Sequence, residues 1–178
     1  MLDDLKFINQ KDPNDQLGAI ERNWRDKSDL LARAAIEWRA DNPTSNNLAK
    51  QIAEHLAGKS VVVYAEDEAL AKTWMKNIAQ KAHNRVFIST LDDESTELAA
   101  WSSHPVDKLF AIVILRQGKD SDEYSNTIKT LRQKLSGRWP HPLEIELPDE
   151  NNWAEFLAEM TAAYLAILNG VITNKKDL

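Results

Sequence analysis

The chain has 178 residues, enough for one domain with a sizeable core and only marginally enough for two. A formal net charge of −6 and a pI near 5.3 leave no basic face for a phosphate backbone, so no nucleic acid partner is expected. Cysteine is absent, which removes disulfides, thiolate catalysis and cysteine-based zinc sites together.

The N-terminus, MLDDLKFINQ, is acidic, and no apolar run approaches the ~20 residues of a membrane helix. The expectation is a cytoplasmic protein with no membrane partner. Residues 1–18, with Asp12, Pro13, Asn14, Asp15 and Gly18, read as a short helix followed by a turn. Ile20, Trp24, Leu31, Ala35 and Trp38 then recur at helical spacing and predict one helix from Ile20 to Arg39. Pro43 stops it, and Thr44 or Ser45 can cap the next helix, NLAKQIAEHLAG, which ends at Gly58. After Gly58 strand and helix patterns alternate. Strands are expected at 60–65, 85–90, 109–116 and 143–147, with helices around 68–82, 95–101, 121–136 and 151–169. The first three strands are apolar almost throughout, the pattern of strands covered on both faces. Such alternation predicts a three-layer α/β/α, doubly wound, mainly parallel sheet, with LEIEL at an edge. Residues 1–45 form an N-terminal helical extension, and 46–178 a single α/β domain.

A Walker loop, a dinucleotide-binding glycine fingerprint, a nucleophile elbow and an HExxH helix are all missing, so no cofactor is expected. The histidines at 55, 83, 104 and 141 lack metal-ligand spacing and read as surface or loop residues. The junction VVVYAEDEAL places Glu66, Asp67 and Glu68 where α/β folds often hold a phosphate. The acidic run DDESTE (92–97) follows the second strand; it reads either as paired carboxylates for acid–base work or as the favourable first turn of a helix. Trp24, Trp38, Trp74 and Trp153 fit helix stripes and are expected in a core or interface, whereas Trp139 in GRWPHP is placed in an exposed turn.

The segments NNLAKQIAEHLAGKSVVVY, WMKNIAQKAHNRVF, STELAAW, AIVILR and AAYLAILNGV, in that order over roughly residues 46–172, resemble the C-terminal sugar-isomerase (SIS) subdomain of the bifunctional phosphoglucose/phosphomannose isomerases. The opening MLDDLKFINQKD resembles that family's N-terminus. The resemblance implies a SIS-like, flavodoxin-like fold and a sugar phosphate as ligand. It also implies that the half holding the phosphate has no counterpart here: one helix lies between Glu21 and Asn46 where a first SIS subdomain would stand. The family's general base maps onto Gln80, its ring-opening histidine onto Ser95, and the acid closing the same motif onto Glu97. Glu66, His83 and Arg116 are the candidate substrate-binding residues, His83 standing where the resembling family has its motif lysine, and Lys175 or Lys176 approximates a C-terminal lysine. A glutamine cannot take a proton from C2 of a sugar, and a serine does not titrate near neutrality. The expectation is therefore a catalytically impaired, carbohydrate-linked binding or assembly module. The alternative is an aldose-ketose isomerase completed at an oligomer interface. A homodimer is expected from the apolar stripe of Trp24, Leu31 and Trp38.

Overall fold

The structure, a computed structural model, describes residues 13–25, 27–88, 109–135, 142–148 and 151–171. Four strands, Ser60–Tyr64 (β1), Val86–Ile88 (β2), Phe110–Gln117 (β3) and Leu143–Leu147 (β4), form one sheet in the order β2-β1-β3-β4. All three pairings are parallel. β1 and β3 lie in the centre, which explains their unbroken apolar sequences: each face needs its own cover. Val61, Val63, Ala111, Val113 and Leu115 join one core cluster, while Val62, Tyr64, Ile112 and Ile114 join a second on the opposite face. At the β4 edge the alternation of LEIEL holds, with Ile145 and Leu147 buried and Glu146 exposed.

Leu48–Leu56 (α3), Glu68–Ala82 (α4) and Asn151–Leu168 (α6) cover the first face, and Asp122–Leu135 (α5) covers the second through Tyr124, Ile128 and Leu131. From β1 the chain moves outward to β2, then returns past β1 to β3 and β4. The direction of winding thus reverses between β1 and β3, and ligands of open sheets bind outside the carboxyl ends of strands at such a point.

The N-terminal region departs from expectation. Pro13–Arg25 (α1) takes in the residues expected to form a turn, and the single helix expected from Ile20 to Arg39 is two, because Asp29–Glu37 (α2) starts afresh. Ser28 caps α2, its hydroxyl accepting the amide N–H of Leu31 at 3.2 Å. Asn47, not Thr44 or Ser45, caps α3: those two residues sit in a short 3₁₀ turn, and Asn47 Oδ1 accepts from the Lys50 amide at 3.0 Å.

Both helices pack on the outer side of α6. Trp24 stacks on Phe156 at 5.7 Å between ring centroids, and Trp38 lies 4.9 Å from Phe156 and 5.1 Å from Trp153. Trp24, Leu31 and Trp38 are 4%, 0% and 2% exposed. The stripe that motivates a homodimer is therefore buried within the chain itself.

Candidate functional site

At the carboxyl end of β1 the three acids of the opening motif take separate roles. Asp67 is the N-cap of α4, accepting from the Ala69 amide at 2.8 Å. Glu68 lies in the first helical turn and pairs with Lys72 at 2.9 Å, a favourable use of negative charge at a helix N-terminus. Glu66 points elsewhere. Its Oε2 accepts the amide N–H of Ser121 at 2.9 Å, so a carboxylate from the β1 end crosses the switch point to the start of α5. Hydrogen bonds from the Ser121 hydroxyl and amide hold the Glu66 carboxyl below its usual range. The amide that would greet an anionic ligand there is met by the chain's own carboxylate.

Arg116, near the end of β3, is similarly engaged. Its Nε donates to Asp120 at 2.6 Å and its Nη2 to the Ser125 hydroxyl at 3.1 Å, while Nη1 lies 3.9 Å from Glu144. Asp120 also accepts the Gln117 amide at 3.0 Å, and the Asp120 hydrogen bond raises the guanidinium further above its already high range. Arg132 of α5 closes a two-pronged pair with Glu144. The buried Tyr124 phenol donates to the Leu115 carbonyl at 3.0 Å, and burial pushes its ionisation upward. These groups make a polar cluster in which Asp120 and Glu144 face Arg116 and Arg132, while Glu66 is held by Ser121 at the start of α5. A general base should titrate near the working pH. Glu66, held low, is a weak base, and Tyr124 stays protonated.

The other expected site residues are not gathered at this edge. Gln80 is exposed near the far end of α4, roughly 18 Å along the helix axis from Glu68 at 1.5 Å per residue. His83 follows it, exposed, as the left-handed C-cap with φ 53°. Ser95, Glu97, His104, His141, Trp139, Lys175 and Lys176 lie outside the described residues, as does the helix expected around 95–101. Among the described residues no cluster of three or more His, Asp or Glu is placed to hold a metal, and no helix is long and apolar enough to cross a membrane. Asp120, Ser121, Ser125 and Glu144 were not singled out from the sequence. A capping signal at Ser121 is visible there, but its pairing with Glu66, 55 positions away, leaves no local trace.

The model of the bacterial phospho-glucose isomerase C-terminal SIS domain matches residues 45–173, the segment that holds the whole sheet. No curated protein matches the chain. Among solved structures it is similar to a glucose-6-phosphate isomerase like protein from Thermus thermophilus, with a TM-score of 0.58 and 19% identity over 80% of this chain. The likeness covers 48% of that structure, so the chain spans about half the length of its relative, and at this identity it speaks to fold. The extent of the family match and the parallel α/β sheet agree: the chain belongs to the family of bacterial phospho-glucose isomerase C-terminal SIS domains.

Proposed function

We propose that the chain acts as a carbohydrate-linked SIS binding or assembly module that does not by itself interconvert sugar phosphates. The observation that carries this reading is the state of the switch point. Arg116, the cation assigned to a sugar phosphate, is tied to Asp120, Ser125 and Glu144, and Glu66 occupies the adjacent amide. Aldose-ketose isomerisation needs a base over C1 and C2, a group that opens the ring and an anchor for the phosphate. Gln80 stands at the base position without a titratable group, far along α4 from Glu66 and Arg116.

The second reading, an isomerase completed at an oligomer interface, draws on the exposure of Gln80 and His83 together at one end of α4. With Trp24 and Trp38 buried internally, a homodimer on this reading would form through that end instead.

A coupled assay on the full chain with glucose 6-phosphate, run over a hundredfold range of protein concentration, separates the two. The module reading expects no turnover above background at any concentration. Turnover near ~1 s⁻¹ or faster, within the ordinary enzyme range, overturns it. A rate per chain that rises with concentration favours the interface reading.

A further inference from the structure

A cleft of about 520 Å³ lies between α1, the connection following α2, and Met160 of α6. Its size falls within the range of small-molecule sites. A lobe of about 300 Å³ shares Asn14, Leu17 and Ala40 with it and continues toward Lys50 and Tyr164. The floor is apolar, from the buried side chains of Leu17 and Met160.

Glu21 and Arg22 stand on the α1 wall, and Arg39 and Asp41 on the wall made by the connection after α2. Arg39 Nε lies 3.6 Å from Glu21 Oε2, so these two charges offset one another. Arg22 and Asp41 remain, and among the described residues no ion pair or side-chain hydrogen bond engages either. The guanidinium of Arg22 lies back along α1: its Nη1 is 3.4 Å from where a Cβ on Gly18 would stand, and Gly18 itself lines the cleft.

The opposite wall is held firmly. Lys50 Nζ donates to the carbonyls of Ala40 at 2.7 Å and Asn42 at 2.6 Å. Asn42 Nδ2 donates to Ile36 and Glu37, and Asn47 Nδ2 to Arg39. A backbone fixed in this way lowers the ordering cost of presenting Arg39 and Asp41 to the cleft, a condition that favours affinity for small ligands.

We propose that this cleft binds a small anionic polyol of monosaccharide size. Its phosphate or carboxylate lies against Arg22 with Arg39 alongside, and its hydroxyls donate to Asp41 and Glu21. The two carboxylates select against a bare anion, since a group without donors would meet them with repulsion, and Arg22 selects against a neutral sugar. The site is separate from the carboxyl edge of the sheet and does not depend on the function proposed there.

The test titrates the full ¹⁵N-labelled chain with glucose 6-phosphate, gluconate, inorganic phosphate and glucose, following amide shifts. The expected result is saturable binding of glucose 6-phosphate, gluconate or both, with inorganic phosphate and glucose weaker by about tenfold or more. The first two probes tell whether phosphate or carboxylate is preferred. Shifts are expected at Gly18, Arg22 and Asp41. Arg22→Ala is expected to weaken binding at least about tenfold and Asp41→Asn to weaken it less. Both side chains are exposed and lack such partners, so unchanged thermal midpoints are expected to accompany the loss. Absence of saturation up to ~10 mM, unaltered affinity in Arg22→Ala, or shifts confined to Ala65–Asp67 and Ser121 overturns the proposal. The last outcome assigns the ligand to the carboxyl edge and leaves the module reading standing.

Discussion

Glu159 and Thr161, two positions apart on α6, show two fates of a polar side chain set into a packed helix, the first half-buried and the second fully buried. Glu159 accepts the indole N–H of Trp24 and the ammonium of Lys81, both at 2.6 Å, and so joins α1, α4 and α6. Thr161 is fully buried, and its hydroxyl has no partner among the described residues. A satisfied charge-assisted bond stabilises, whereas a buried polar group left unpaired costs the full desolvation penalty. Glu159→Ala is therefore expected to destabilise the chain by ~1–3 kcal/mol and Thr161→Val to stabilise it by ~1 kcal/mol, both read from urea midpoints. A stabilised Glu159→Ala or a strongly destabilised Thr161→Val would reverse this assignment. Glu66 carries a pH dependence. Its carboxyl is held below 4.5 by Ser121, so its contribution is complete above that value and is lost as pH falls through the lowered folded-state value. Wild type is expected to exceed Glu66→Gln in stability at neutral pH, the two converging as acidification carries the Glu66 carboxyl through its lowered folded-state value. A gap that persists at the acid end shows that the Ser121 contact is not what the charge supports.

At the scale of elements, what was legible depended on whether the signal was local. Helices α3 and α4 carry their own punctuation: Gly58 at φ 71° follows the end of α3, and Asp67 caps α4. The strands at 60, 109 and 143 were readable within one residue of their ends because their burial is encoded in their own apolar residues. The division of α1 from α2 was masked by a stripe that stays in phase across the break. Ile20, Trp24, Leu31, Ala35 and Trp38 keep helical spacing because both helices turn the same face to α6. Periodicity reports which residues face a common surface, and it is silent about whether the backbone between them is continuous. The seryl cap at Ser28, followed by Asp29, was the local sign of a new start. The carboxyl-edge cluster was less legible still. Asp120 lies only four positions from Arg116, but Glu144 for Arg116 and Ser121 for Glu66 come from distant segments that only the folded sheet brings together.

At the scale of the molecule, the family match begins at residue 45, yet the main core continues across that point. One cluster runs from Leu17 and Trp24 on α1, through Leu31 and Trp38, to Phe156, Met160 and Tyr164 on α6 and onward to Val63 and Val113 in the sheet. Polar contacts follow the same path: Tyr164 donates its hydroxyl to the Trp38 carbonyl at 2.5 Å, and Asn47 donates to the Arg39 carbonyl at 3.1 Å. α6 explains why. It is buried on almost every side, and a helix apolar all round needs cover on all its faces; the sheet-side layer supplies one part, and α1 with α2 the rest. Removing that cover would expose Phe156 and Met160, a loss of several kcal/mol at ~1.5–3 kcal/mol per large apolar side chain. That is a large fraction of the ~5–15 kcal/mol that stabilises an ordinary domain. The two N-terminal helices are thus expected to unfold with the SIS domain as one cooperative unit, not as an appendage. Native-state hydrogen exchange on the full chain checks this: amides in Asp29–Glu37 should open with the same free energy and the same denaturant dependence as those of β3. Opening of Asp29–Glu37 at a markedly lower free energy, with β3 still protected, would show that the helical pair folds onto a domain already stable without it.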